Sequence, residues 1–198
     1  MGRPAIFLDR DGTLNELALN PATGEWESPH SVGEVRMAAD LGPALALLKA
    51  YPLFVVSNQP SAAKGKCSLA DLEAVHEAVK AGLSAAGATV EHYYYCYHHP
   101  QGTALGLGIA CECRKPGTLS LRRAAQDYGV DLSRSWFIGD QDFDVRCGHD
   151  AGCRSVVIED PHSAHKRGKE KADFNVATLL QAAQIVDEQM KWGVSRGC

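Results

Sequence analysis

Four short and almost continuously apolar runs recur along the chain, separated by segments with helical periodicity. The runs are AIFL at 5–8, LFVVS at 53–57, SWFIG at 135–139 and RSVVI at 154–158. Apolar runs of this length, bounded by polar residues, are typical of strands buried on both faces of a sheet. The helical segments lie at 41–50, 68–87, 117–129 and 177–192. Alternating strands and helices predict an α/β fold, a doubly wound Rossmann-like parallel sheet with helices on both faces.

The chain length and composition fit one such domain, which we predict over residues 1–198. Of the 198 residues, 45% are hydrophobic and 22% are charged, as in an ordinary globular protein. A net charge of −4 gives no reason to expect nucleic-acid or membrane partners. The N-terminus lacks a signal-peptide pattern, and no apolar stretch reaches the roughly 18 residues of a membrane span. We therefore expect a cytoplasmic monomer that acts on a small molecule.

Polar residues follow the apolar runs at the point where each predicted strand ends. Asp9 and Asp11 follow the first strand, Ser57 and Asn58 end the second, and Asp140 follows the third. Ligands bind at the carboxyl ends of strands in open α/β sheets, so these groups should meet at one edge. Several carboxylates brought together need a cation or a shared proton, and their oxygens suit Mg²⁺. A lone DRDG segment would fit a surface turn equally well, but three strand ends together predict a site.

A cluster of cysteine and histidine lies between 96 and 113. Cys96 and His98 form C-x-H, and Cys111 and Cys113 form C-x-C after twelve intervening residues. An odd total of seven cysteines argues against a disulfide framework, and a redox pair normally needs C-x-x-C. Two tight pairs of ligands fit a closed tetrahedral Zn²⁺ site of the structural type, although the one-residue gaps are shorter than usual. From the residues alone, His99 remains an alternative to His98.

Four segments in this order resemble the motifs of the haloacid dehalogenase superfamily of phosphotransferases. They are DRDGT at 9–13, VVSNQ at 55–59, Lys115 and GDQDFD at 139–144. The resemblance spans about 5–158 and implies a Mg²⁺-dependent phosphatase that works through an aspartyl-phosphate. It implies that Asp9 is the nucleophile and that Asp11 protonates the leaving oxygen and then activates water. It further implies that Asp9, Asp140 and the backbone carbonyl of Asp11 bind Mg²⁺.

The same resemblance implies which residues bind the substrate. Ser57 and Lys115 would bind the non-bridging oxygens of the transferred phosphate, with Asn58 beside them. Arg114 would bind a second phosphate or sugar hydroxyls. Because Arg114 and Lys115 directly follow Cys113, a zinc-bound loop could fix the backbone that carries both cations.

The segments YYYCYHHPQG and CECRKPG resemble the zinc loop of one branch of this superfamily. That branch contains the D-glycero-D-manno-heptose 1,7-bisphosphate phosphatases and the histidinol-phosphatase domains. The resemblance implies zinc ligation by Cys96, His98, Cys111 and Cys113, and so favours His98 over His99. It also implies no large cap domain, in keeping with only 43 residues between Thr13 and Ser57 and 55 between Gln59 and Lys115.

The resemblance favours hydrolysis of the C7 phosphate of heptose 1,7-bisphosphate, a step that would feed lipopolysaccharide or other heptose-glycan synthesis. Histidinol phosphate is the nearest alternative substrate, and a nucleic-acid end is a more distant one. The segment 16–32 departs from the branch where specificity would be set. Trp26 and His30 within it either line the mouth of the site or pack as ordinary loop residues.

Overall fold

Six parallel strands form the central sheet of the protein, seen in a computed structural model that describes residues 2–195. The strands are β1 (Ile6–Leu8), β2 (Ala18–Leu19), β3 (Trp26–Glu27), β4 (Leu53–Asn58), β5 (Val90–Cys96), β6 (Trp136–Gly139), β7 (Arg154–Ile158) and β8 (Phe174–Val176). The helices are α1 (Leu41–Leu48), α2 (Leu69–Ala85), α3 (Leu119–Tyr128), α4 (Asp142–Asp150) and α5 (Leu179–Ser195). Short 3-10 helices lie at Val32–Glu34, Leu132–Arg134 and Pro161–Lys166.

The order of strands in the sheet is β5-β4-β1-β6-β7-β8, and β2 and β3 form a separate antiparallel hairpin. The predicted parallel α/β fold is confirmed, and the four predicted strands are β1, β4, β6 and β7. Because β1 lies between β4 and β6, the three strands whose ends carry polar residues are neighbours. The predicted domain, 1–198, includes Met1 and residues 196–198, which lie outside the described residues.

The alternating side chains of the central strands fill two apolar layers. On one face, Phe7 stacks between Phe54 and Phe137, with ring centroids 5.4 and 6.3 Å apart, next to the buried Leu121 of α3. On the other face, Ile6, Leu8 and Ile138 lie in the layer that α1 and α5 cover. Burying one such side chain stabilises the fold by about 1.5–3 kcal/mol. The central strands are therefore a rigid base for the loops at their carboxyl ends.

Local sequence signals set one end of each of two helices. Ser68 begins α2 with a capping box, in which its Oγ accepts from the Asp71 N–H and its own N–H donates to Asp71. Gly129 ends α3 with φ of 66°, a conformation that favours glycine. Within residues 2–195, no helix combines the length and apolar character that crossing a bilayer requires.

Candidate active site and metal centres

The carboxyl ends of β1 and β4 open onto a cavity of about 340 Å³. Its lining includes every residue predicted to take part in chemistry or phosphate binding except Asp140. Those residues are Asp9, Asp11, Ser57, Asn58, Arg114 and Lys115. Asp140 is fully buried at the end of the neighbouring β6. The sheet therefore brings the predicted residues together from three strands and one loop.

Three buried carboxylates form a cluster at this edge of the sheet. Asp9, Asp140 and Asp144 each offer an oxygen that lies within 4.8 Å of the others. Neither carboxylate oxygen of Asp140 has a hydrogen-bond partner among residues 2–195. Burial, and then the charges of Asp9 and Asp144, raise the pKa of Asp140 well above its usual value. Unpartnered oxygens in a crowded anionic cluster fit a hard divalent cation such as Mg²⁺.

The turn after β1 is built closely around this cluster. Gly12 has φ of +85°, and a Cβ at this position would lie 2.5 Å from Oδ2 of Asp140. Only glycine fits both the backbone conformation and the space. The motif DRDG thus uses its glycine to let the turn approach the carboxylate delivered by β6.

Lys115 lies between two of the clustered carboxylates. Its Nζ is 2.7 Å from Oδ1 of Asp9 and 2.6 Å from Oδ1 of Asp144, and it donates to the carbonyl of Val56 at 2.8 Å. Burial alone would lower the pKa of Lys115, but Asp144 and Asp9 raise it above its usual value. Burial raises the pKa of Asp144 to about 6 despite the neighbouring Lys115. A fixed ammonium group therefore stands directly beside the predicted nucleophile.

Asn58 holds the backbone that carries Lys115. Its Nδ2 donates to the Lys115 carbonyl at 3.1 Å, and its Oδ1 accepts from the Lys115 N–H at 2.9 Å. Both ends of the amide therefore bond to the backbone of Lys115 and fix its position, while Asn58 also lines the cavity. Ser57 presents its Oγ to the cavity and accepts a hydrogen bond from Nε2 of Gln59 at 3.0 Å.

The Asp11 carboxylate lies outside the carboxylate cluster. It accepts hydrogen bonds from Arg10, Asn15 and Gln59. Burial would raise the pKa of Asp11, but Arg10 and the amide donors lower it below its usual value. The predicted Mg²⁺ contact of Asp11 is through its backbone carbonyl, and it stays a prediction. Arg10 and Gln59 were missed by the sequence reasoning, although both stand inside motif segments and could have been suspected there.

The four predicted zinc ligands lie together. The Sγ atoms of Cys96, Cys111 and Cys113 are 3.2–3.5 Å apart, and Nδ1 of His98 lies 3.4 Å from Cys113 and 3.8 Å from Cys96. Ligands of a tetrahedral zinc would be about 3.8 Å apart for two sulfurs and about 3.6 Å apart for sulfur and nitrogen. His99 instead accepts a hydrogen bond from the Gln101 N–H. The donor set therefore fits a Zn²⁺ ion, with the three sulfurs closer to one another than in an ideal tetrahedral site.

Arg114 links this cysteine and histidine cluster to the cavity. Its Nη1 donates to the His98 carbonyl at 3.4 Å, while the half-buried side chain also lines the cavity. Arg114 and Lys115 directly follow the predicted zinc loop at 96–113, and both line the cavity.

A second cavity of about 540 Å³ adjoins the first and carries basic residues. Lys64 and Lys166 line both cavities, and His162, His165 and Lys66 line the second. Burial, followed by the nearby charges of Arg114 and Lys66, lowers the pKa of Lys64. Lys66 also forms an ion pair with Glu27, which offsets the positive charge of Lys66. We call this cavity the basic cleft, after its residues Lys64, Lys166, His162, His165 and Lys66.

Residues 24–28, which include β3, form one wall of the basic cleft. Trp26 stacks on His162 with ring centroids 3.6 Å apart, and both line the cavity. His30 contacts Ser61, with 2.9 Å between Nε2 and Oγ. Of the two residues suspected to line the mouth of the site, Trp26 lies on the neighbouring cleft and His30 packs against the loop after β4.

Comparison with known proteins identifies relatives of this chain. Residues 112–182 match the family model described as HAD-hydrolase-like. The chain is 35% identical over 162 residues to D-glycero-beta-D-manno-heptose-1,7-bisphosphate 7-phosphatase of Rhodopseudomonas palustris, covering 79% of this chain and 84% of that one. The protein of the same name from Pseudomonas aeruginosa is 31% identical over 172 residues, covering 85% of this chain and 88% of that one.

A solved structure extends the similarity to the fold. It is D,D-heptose 1,7-bisphosphate phosphatase from B. bronchiseptica, complexed with magnesium and phosphate. The TM-score is 0.74 at 26% sequence identity, covering 93% of this chain and 99% of that chain.

Proposed function

Since the chain belongs to the haloacid dehalogenase superfamily, in the phosphatase family that includes the D-glycero-beta-D-manno-heptose-1,7-bisphosphate 7-phosphatases, we propose that it removes the C7 phosphate of D-glycero-D-manno-heptose 1,7-bisphosphate. The observation that carries the phosphatase chemistry is the buried cluster of Asp9, Asp140 and Asp144 with Lys115 between two of its members. An anionic phosphate repels a carboxylate nucleophile unless nearby cations offset the negative charge, and Lys115 lies beside Asp9.

The reaction has two steps, both on this chain's own residues. A carboxylate oxygen of Asp9 attacks phosphorus, and the bond between phosphorus and the C7 oxygen breaks as Asp11 gives that oxygen a proton. Asp11 then takes a proton from water, whose oxygen attacks the aspartyl-phosphate, releasing inorganic phosphate and restoring Asp9. Ser57 and Lys115 hold the non-bridging oxygens throughout, and Asn58 keeps Lys115 in place.

The two metal sites would serve different purposes. Asp9, Asp140 and the backbone carbonyl of Asp11 would hold Mg²⁺, which supplies neutralisation of the negative charge shared by the nucleophile and the phosphate. Cys96, His98, Cys111 and Cys113 would hold a structural Zn²⁺, since all four positions of a tetrahedral site would be filled by protein.

The basic cleft supports a bisphosphate over histidinol phosphate as the substrate. Arg114, Lys64 and Lys166 surround the space next to the reacting phosphate. A second phosphate on the substrate would find charge-assisted hydrogen-bond donors there. Histidinol phosphate carries an amine at the corresponding end, which is a cation at neutral pH and would be repelled by these residues.

A steady-state comparison of substrates tests this proposal. The substrates are the α and β anomers of heptose 1,7-bisphosphate, histidinol phosphate and fructose 1,6-bisphosphate. One additional charge-assisted hydrogen bond contributes about 1.5–3 kcal/mol, so kcat/KM should favour a heptose bisphosphate over histidinol phosphate by about 10- to 150-fold. Comparable kcat/KM values for all four compounds would contradict a dedicated heptose phosphatase.

The cellular setting follows from the same proposal. We place the protein in the cytoplasm, where thiols remain reduced and available to zinc. There it would act as a single-domain monomer on a small sugar phosphate, in the synthesis of lipopolysaccharide or other heptose glycans.

A further inference from the structure

We propose that Arg10 is a positioning residue for Asp11, and that it acts both directly and through Gln59. The inference rests on the proposed phosphatase function, in which Asp11 transfers protons. It assigns a role to a residue that lies between the two aspartates of the first motif but does not itself line the catalytic cavity.

The burial of Arg10 requires an explanation. Its side chain is 0% exposed and is the largest of the fully buried side chains. An ionised group withdrawn from water costs several kcal/mol unless it is well paired. An apolar side chain would fill the same volume in the protein interior without that cost. We therefore look for the role of this buried charge in the two side chains that it contacts, Asp11 and Gln59.

The first contact is a two-point pairing with Asp11. Nε of Arg10 donates to Oδ1 of Asp11 at 2.9 Å, and Nη2 donates to Oδ2 at 3.0 Å. Two parallel hydrogen bonds from a planar guanidinium fix the plane of the carboxylate as well as its distance. A lysine could supply the charge but not this orientation. Asp11 lines the cavity, so the orientation decides how its oxygens face the substrate.

The second contact connects Asp11 to the phosphate-binding side of the cavity. Nη2 of Arg10 donates to Oε1 of Gln59 at 2.8 Å. This fixes the direction of the Gln59 amide, whose Nε2 donates to Oδ2 of Asp11 at 2.7 Å and to Oγ of Ser57 at 3.0 Å. One buried guanidinium thus holds the proton-transfer group and the phosphate-binding hydroxyl in a common arrangement.

A purely structural role for Arg10 makes a different prediction from a positioning role. Protonation of the leaving oxygen matters for an alkoxide from a sugar, but p-nitrophenolate leaves without it. The ratio kcat/KM reports the steps up to the first irreversible one, which here is transfer of phosphate to Asp9. Misplacing Asp11 should therefore reduce kcat/KM for sugar phosphates more than for p-nitrophenyl phosphate, whereas general damage to the fold should reduce both equally.

The experiment uses full-length Arg10→Gln, Arg10→Lys and Gln59→Met, with the exposed Arg122→Gln as the matched control. General acid catalysis contributes about 10²–10⁴-fold, and we expect Arg10→Gln to lose at least about 100-fold more on a sugar monophosphate than on p-nitrophenyl phosphate. Arg10→Lys should restore little of this selectivity, because lysine cannot make the two-point contact. Inhibition by inorganic phosphate should weaken less in Arg10→Gln than in Ser57→Ala, because both Lys115 and the Ser57 hydroxyl remain present in Arg10→Gln.

Gln59→Met keeps the experiment decisive if Arg10→Gln does not fold, since it removes no buried charge. It should show the same selective loss, at about 10-fold or more. Equal losses on the two esters, or no loss on either, would overturn the proposal. If the wild-type protein hydrolyses no phosphate ester, the proposed function is refuted. If it hydrolyses sugar monophosphates but not heptose bisphosphate, only the substrate assignment fails, and the experiment still tests the role of Arg10.

Discussion

Replacing Asp140 with Asn should make the protein more stable in EDTA at pH 8, while abolishing its response to Mg²⁺. Asp140 is fully buried between Asp9 and Asp144, and neither of its carboxylate oxygens has a hydrogen-bond partner among the described residues. Without a cation, its charge destabilises the folded state. An amide of almost the same shape removes that charge and also removes a magnesium ligand.

The size of the effect can be worked from the neighbouring carboxylate. The pKa of Asp144 rises from 3.8 to about 6, which corresponds to about 3 kcal/mol. Asp140 is as buried as Asp144 and lacks the direct contact with Lys115 that Asp144 has. An unpaired buried charge costs about 3–5 kcal/mol, so we expect a penalty of about 3 kcal/mol for Asp140. The new amide has no partner either, which costs about 1 kcal/mol. The net gain is about 2 kcal/mol, or roughly 4–8 °C in Tm for a chain of this size.

The pH dependence gives the prediction a definite sign. A carboxyl group with a raised pKa in the folded state penalises folding only where it would be ionised in the unfolded chain. The advantage of Asp140→Asn should therefore be absent below about pH 4 and should grow as the pH rises through the folded-state pKa values. Urea unfolding in EDTA at pH 4 and pH 8, with the exposed Asp150→Asn as control, measures both limits.

Magnesium supplies the second half of the measurement. At a concentration 100 times its Kd, Mg²⁺ should stabilise the wild-type protein by about 2.7 kcal/mol and the Asp140→Asn variant hardly at all. If Asp140→Asn is less stable than wild type in EDTA at pH 8, the buried charge of Asp140 does not destabilise the fold. If Mg²⁺ stabilises both proteins equally, Asp140 is not a magnesium ligand.

Three further substitutions test the remaining assignments. Asp9→Asn should keep the fold, shown by its circular dichroism spectrum, and reduce kcat below about a hundredth of wild type; a larger residual rate would mean that Asp9 is not the nucleophile. Ser57→Ala should lower kcat/KM by about 10- to 150-fold through loss of one hydrogen bond to a charged phosphate, and an unchanged steady-state value would exclude that contact. Metal analysis should find about one zinc per chain in wild type and in the control Cys67→Ser. Cys111→Ser should contain much less zinc and should have a higher KM. A wild-type protein without zinc would contradict the structural metal site.

The strands of the sheet centre could be predicted because they are buried on both faces. The sequence of β5, VEHYYYC, places Glu91 and His92 in a half-exposed edge strand, so the run of apolar residues on which the prediction depended is missing. β8 has three residues and lies at the opposite edge. Helix α4 begins at Asp142, within the fourth motif, where the sequence pattern predicts no helix. Edge strands and helices that begin in polar motifs depend on tertiary packing, which periodicity does not report.

The residues of the candidate site could be found, but not their partners. Motif order located Asp9, Asp140 and Lys115, because the topology of a parallel sheet brings its strand ends together. The contact between Lys115 and Asp144 depends on how the loop after β5, in which Lys115 lies 19 residues beyond Cys96, folds back over the sheet. The burial of Arg10 likewise depends on the turn at 10–15, in which the carbonyl of Arg10 accepts from the Leu14 N–H. Such contacts follow from loop geometry and not from local composition.

The most direct test of the account is to locate the phosphoryl group during turnover. A single turnover of heptose 1,7-bisphosphate in Mg²⁺, quenched with acid and digested for peptide mass spectrometry, should show one phosphoryl group on the peptide that contains Asp9. With p-nitrophenyl phosphate, whose leaving group needs no proton, the label should accumulate in Asp11→Asn because attack by water is slowed. With either substrate the label should be absent from Asp9→Asn and from reactions in EDTA. Phosphate release at the wild-type rate with no phosphoryl group on Asp9, or with one on another residue, would contradict the account.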